Sequence, residues 1–369
     1  MSERKTSAWP LSLLCVAVIV YASLYPFDQW RDQDIAPWAF LVAPWPKYWS
    51  GFDVAANVLG YAPLGFFLAL SALRMRWGGR ATLWATVMAA VLSLTMEGLQ
   101  SYLPARVPSQ VDFMLNSLGA AVGAILASML EQLGWLHRWS QFRARWFVRD
   151  AHMALSLIAV WPVALLFPVA VPLGLGQVWE RLEDFLTNVF DGTPFEEWIP
   201  MRAFELEPLL PGAELLCVLL GALIPCLLGL GVIRQVGQRV IYCVWVMAIS
   251  LAMTALSAAL TYGPSHAWTW LNLPVVIGLI GGLTLGLGFS MLSARVNWSF
   301  LLLSLLVQQS LLNQSPENAY FAQTLQTWEQ GRFIRFHGLA QWLGWLWPFA
   351  VLLEALVRLS QPASGKPAP

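Results

Sequence analysis

Charge is scarce in this 369-residue chain: Asp, Glu, Lys and Arg together make up 11% of it, while 58% is hydrophobic. Soluble domains carry about 25% charged residues, so a soluble globular fold and a disordered chain are both excluded. Net charge is missing as well, with 21 basic against 21 acidic residues, which removes the case for a nucleic-acid partner. Cysteine is limited to Cys15, Cys217, Cys226 and Cys243, all inside apolar runs and none in a Cys-x-x-Cys pair. Neither a disulfide framework nor a metal centre is indicated, and no cofactor is expected. There is no Gly-rich phosphate loop, no serine nucleophile elbow and no kinase-type motif. Strict apolar/polar alternation is also lacking, which excludes a membrane β-barrel.

Long apolar runs dominate what remains. Stretches of about 20 apolar residues are long enough to cross a bilayer as helices. Ten such runs lie near 9–26, 54–73, 81–103, 113–133, 152–173, 213–233, 240–261, 272–294, 297–312 and 337–357. The chain therefore reads as an all-α, polytopic integral membrane bundle of about ten transmembrane helices. The first run follows Arg4 and Lys5 but lacks a small-x-small cleavage site, so an uncleaved span is expected.

Basic residues fix an orientation. With the N-terminus inside, Arg4, Lys5, Arg74, Arg76, Arg80, Arg138, Arg143, Arg145, Arg149, Arg234, Arg239, Arg295, Arg358 and Lys366 fall on the cytoplasmic side. Arg31, Lys47, Arg106, Arg181, Arg202, Arg332 and Arg335 fall outside. Positive residues concentrate on the cytoplasmic side of membrane proteins, so both termini are expected to be cytoplasmic. The expected organisation is a four-helix unit over 1–133 and a basic cytoplasmic linker over 134–151. A second membrane region of about six helices follows over 152–358, with a long outer loop at 174–211, and then a tail over 359–369. In that loop Val178, Leu182, Phe185, Leu186 and Val189 mark one face of an amphipathic helix. The loop at 27–50 carries Trp30, Trp38, Trp45 and Trp49, which suit an interfacial belt or, alternatively, stacking on sugar rings.

An internal repeat places polar groups in the outer third of the first unit. Asp53-x-x-x-Asn57-x-Leu59-Gly60 recurs as Asp112-x-x-x-Asn116-x-Leu118-Gly119, and in each copy Asp and Asn share one helix face. The aspartates suit helix N-caps, but a cap does not account for an Asn one turn deeper, which needs a partner across helices. The third span ends with Glu97 and Gln100, and the loop that follows holds Arg106 between Pro104 and Pro108. Glu97 lies about 9 Å below the outer helix end, where a carboxylate must be paired, protonated or wet. It reads either as an Arg–Glu clasp fixing the hairpin or as part of a site. Asp53, Asn57, Glu97, Gln100, Arg106, Asp112 and Asn116 together suit a phosphate, carboxylate or sugar headgroup. A hard cation held through oxygen is the other chemistry these groups allow. Gly60, Gly65, Gly119 and Gly123 are expected to let helices approach closely, and Gly278, Gly282 and Gly286 do the same in the second half.

The residues Asp53, Asn57, Gly60, Pro63, Gly65, Glu97, Gln100, Arg106, Asp112, Asn116, Gly119 and Gly123 resemble the signature of the VanZ-like family of bacterial membrane proteins. The resemblance covers about residues 10–133. It implies a multi-pass protein of the bacterial cytoplasmic membrane, linked to glycopeptide resistance or surface polysaccharide, with no assigned reaction. A non-catalytic accessory role is expected, with membrane lipids, a lipid-linked glycan precursor or an amphiphilic glycopeptide as partner. The alternatives are an enzyme using Glu97 or Asp112 as acid or base, and a lipid or solute transporter.

Overall fold

The computed structural model describes residues 8–25, 27, 29–45, 51–167, 169–193, 206–316 and 334–361. Arg4, Lys5, Lys47, Trp49, Arg202, Arg332 and the tail 362–369 lie outside them. Among the described residues there are twelve α-helices. They are α1 Ala8–Leu24, α2 Gly51–Arg74, α3 Arg80–Gln100, α4 Gln110–Gln132, α5 Trp135–Trp146, α6 His152–Ala164, α7 Trp179–Phe190, α8 Pro211–Leu230, α9 Val236–Tyr262, α10 Leu273–Phe289, α11 Ala294–Leu312 and α12 Ile334–Ser360. The protein is an all-helical membrane bundle. Six of these helices are long and apolar enough to cross a membrane: α2, α3, α4, α8, α9 and α12. The apolar helices α1, α6 and α10 are shorter. α11 belongs to neither group, because Arg295, Asn297, Gln308 and Gln309 interrupt its apolar sequence.

The chain divides into two compact units, Met1–Arg143 and Ala144–Pro369. The division falls within the expected linker 134–151, which carries the helix α5. In the first unit α2 packs along α4, and α3 and α1 close the bundle. Ala69, Ala85, Ala89, Ala120, Ala124 and Ala127 are wholly buried, so small side chains line the contacts and helix axes come close.

The second unit is built around α8. Every residue from Leu220 to Leu230 is buried, and 72% of the apolar 18-residue stretch of this helix is buried, against about a third for most of the other candidate spans. α10 lies on it through the predicted glycines. A Cβ at Gly278 would stand 2.8 Å from the Leu215 carbonyl oxygen, and one at Gly282 would stand 2.9 Å from that of Leu219. Gly286 meets Cys226 at ordinary contact distance.

The fifth expected span, 152–173, is corrected by the structure. α6 stops at Ala164, and beyond it Phe167, Val171, Leu173 and Leu175 are buried on non-helical backbone. Such backbone is tolerated at membrane depth only where protein satisfies its polar groups. α11 does so: Gln308 Nε2 reaches the Leu173 carbonyl at 3.5 Å, Gln309 Nε2 donates to that of Leu175 at 2.7 Å, and Asn313 Oδ1 accepts from the Val178 and Trp179 amides at 3.1 Å. These anchors fix the start of α7, the amphipathic helix expected in the outer loop, whose Leu182, Phe185 and Val189 stay exposed.

Candidate functional site

Three helices of the first unit each contribute two polar side chains one turn apart. On α2 these are Asn57 and Tyr61, on α3 Glu97 and Ser93, and on α4 Asp112 and Asn116. Because α3 runs opposite to α2 and α4, the six groups form two layers separated by about 6 Å, the rise of four helical residues. In the upper layer Asn57 Nδ2 donates to Asp112 Oδ1 at 2.8 Å, joining the two copies of the repeat across α2 and α4. Glu97, 3% exposed, accepts the Ser109 amide at 2.8 Å through Oε2 and so holds the α3–α4 loop. In the lower layer Asn116 Nδ2 donates to Ser93 Oγ at 3.0 Å.

Among the described residues two atoms of that lower layer have no hydrogen-bond partner of normal geometry: Asn116 Oδ1 and the Tyr61 hydroxyl oxygen. Tyr61 lies beside Ser93 and Glu97 without a bond of normal geometry. One is an orphaned acceptor and the other an unused donor, in a bundle where leaving such groups dry costs about 1–3 kcal/mol each. Tyr61 and Ser93 do not stand out in the sequence as site residues. The available signal is their four-residue spacing from Asn57 and Glu97.

The remaining predicted residues tie the unit together. Gln100 Nε2 donates to the Ser23 carbonyl at 2.9 Å, and Arg106 Nη2 donates to those of Ala22 and Tyr25 at 3.3 and 2.7 Å. Both side chains therefore reach the C-terminal end of α1, whose last carbonyls lack helical partners. Asp53 sits in the first turn of α2, and its side chain lies outside the described residues. The N-cap expected of Asp112 belongs to Ser109, whose Oγ accepts from the Val111 and Asp112 amides, leaving the aspartate free to meet Asn57.

Close packing of α2 on α4 makes this geometry possible. A Cβ on Gly65, Gly119 or Gly123 would overlap the carbonyl oxygen of Ala120, Val58 or Ala62. Gly60 is the exception among the predicted packing glycines, since a Cβ there would meet nothing within 4 Å. It faces away from α4. Over the end of α3, the loop 29–45 is strapped down by Gln33 Nε2 to the Ser101 carbonyl at 2.7 Å and by the Arg31 amide to that of Tyr102. The Trp38 ring rests on Gly98, beside Glu97.

Chemically, the cluster grades from a half-exposed rim of Asn57, Arg106 and Asp112 to a buried floor of Ser93 and Asn116, with Tyr61 beside them. Among the described residues no group of three or more side chains is placed to hold a metal ion. No curated protein and no solved structure matches the chain. The VanZ/LLP1 family model matches residues 8–131. The four helices that carry the cluster are thus a VanZ-like domain, in a multi-pass membrane protein whose other helices lie beyond that match.

Proposed function

We propose that the VanZ-like domain is a non-catalytic binding element that holds the headgroup of an amphiphile at the outer leaflet, a lipid-linked glycan precursor being the class that fits best. The observation that carries this reading is the unpaired acceptor and donor, Asn116 Oδ1 and the Tyr61 hydroxyl, at the buried end of a polar cluster that opens to a half-exposed rim. A sugar or glycerol hydroxyl both donates and accepts, so it answers both atoms at once. Arg106 at the rim is the group suited to a phosphate, because its planar fork matches phosphate oxygens. The expected orientation, with the start of α2 and α4 outside, puts the rim at the outer surface.

Tyr61→Phe tests this, since the hydroxyl it removes makes no hydrogen bond of normal geometry among the described residues. Native mass spectra of lipids retained in mild detergent should show a specific lipid-linked species on the wild type. Loss of one hydrogen bond, about 1 kcal/mol, should cut its occupancy by about fivefold in the variant while thermal stability stays the same. Identical bulk lipids on both proteins would overturn the proposal. An enzyme is the second reading, favoured by the burial of Glu97, since a dry carboxylate is a suitable general base. Glu97→Gln separates the two: an enzyme keeps the lipid and stops converting it, whereas a binding site shows no conversion in either protein.

A further inference from the structure

Between Glu131 and Asp150 the chain carries no acidic residue, and α5 lies within that stretch. At about 100° per residue, Trp135, Trp139, Phe142 and Trp146 fall within an arc of about 60°. Arg138 and Arg145 lie at one border of this stripe, about 70–90° from its middle, and Arg143 lies at the other. The far side of the helix holds His137, Ser140, Gln141 and Ala144. That polar side is the one turned to the end of α2, because Ser140 Oγ accepts from Arg74 Nη2 at 3.3 Å. Of the aromatic stripe, Trp135, Trp139 and Phe142 are exposed, while Trp146 packs on the core of the second unit. Trp135 and Trp139 are 55% and 53% exposed, Phe142 stacks on Trp139 with ring centres 5.5 Å apart, and Arg138 lies over the Trp135 ring.

We infer that α5 lies in the membrane–water interface and binds the phosphate groups of anionic phospholipid through Arg138, Arg143 and Arg145. Tryptophan rings settle at the headgroup level, with the apolar body in the acyl boundary and the indole N–H toward water. Arginines bordering such a stripe extend their stems along the apolar surface and raise their guanidinium groups to the phosphates. Three arginines without a neighbouring carboxylate on the helix favour an anionic over a zwitterionic surface. Arg74, Arg76 and Arg80, at the end of α2 and the start of α3, add charge of the same sign. Such a helix anchors the base of the VanZ-like domain to lipid, independently of whatever the opposite end of that domain holds.

The experiment uses the full chain in nanodiscs of phosphatidylcholine with and without phosphatidylglycerol. Hydrogen exchange of residues 135–146 is expected to slow by about tenfold when phosphatidylglycerol is present, and 1 M salt should reverse this. After partial delipidation, the wild type should retain phosphatidylglycerol over phosphatidylcholine by about the same factor. The triple variant R138Q/R143Q/R145Q should retain both equally. Exchange that ignores lipid charge, or an unchanged preference in the folded triple variant, would overturn the inference. The exchange measurement on the wild type decides the matter even if the variant does not fold.

Discussion

Gly123→Val is expected to unfold the VanZ-like domain, lowering its melting temperature in detergent by about 10 °C or more. The site of the clash is what makes the effect large. An added Cβ would overlap the Ala62 carbonyl oxygen and stand 3.0 Å from the Phe66 amide nitrogen, both backbone atoms of α2. Overpacking a core costs about 1–3 kcal/mol when side chains can rotate away, and here nothing can rotate. The helices must separate, which also stretches the 2.8 Å bond between Asn57 and Asp112 and so opens the polar cluster. Gly60→Ala is the matched control. With open space around it, the added methyl group should be neutral or raise stability by up to about 1 kcal/mol through helix propensity. Thermal unfolding of the two variants side by side measures both effects. Equal melting temperatures would mean that the α2–α4 approach is not what holds this domain.

Much of the first unit was legible because its signals are periodic. The repeated Asp-x-x-x-Asn-x-Leu-Gly marks two helices entering in the same direction, and the glycines at 119 and 123 mark the face on which α4 meets α2. What periodicity does not convey is which partner a polar group chooses. Gln100 and Arg106 share the outer end with the repeat, yet both reach across to carbonyls of α1, a choice set by tertiary packing. Likewise Asp112 is a sound N-cap by residue type, but Ser109 occupies the cap because its extended backbone turns the hydroxyl onto the first amides. The broken fifth span was harder still. Pro162, Pro168, Pro172, Gly174 and Gly176 crowd that stretch, and apolar content alone outweighs them in any reading by length. The backbone leaves the helix because α11, five helices later in the chain, brings Gln308, Gln309 and Asn313 to receive it. Those amides read as flaws in a weak span until their partners are known.

The second unit should fail at a single side chain, Arg239. It is 8% exposed, in the first turn of α9, and its guanidinium collects carbonyls from two different chain turns. Nε donates to Ile233 at 2.9 Å, while Nη1 donates to Ser290 at 3.1 Å and to Leu292 at 2.7 Å. Ile233 follows the end of α8, and Ser290 and Leu292 follow the end of α10, where carbonyls have run out of helical donors. Arg239→Met keeps most of the bulk and removes every donor, so buried acceptors at both helix ends are left unpaired. At about 1–3 kcal/mol for each of the three carbonyls, the loss should come to about 3–9 kcal/mol, a large share of the stability of any folded unit. Arg239→Lys should recover only part of this, since one ammonium at the tip of a flexible stem cannot reach three carbonyls in the geometry of a fork. Limited proteolysis checks the assignment directly: the turns at 231–235 and 290–293 should become the first cleavage sites in Arg239→Met and stay protected in the wild type. Cleavage elsewhere first, with both turns intact, would show that other contacts hold these helix ends.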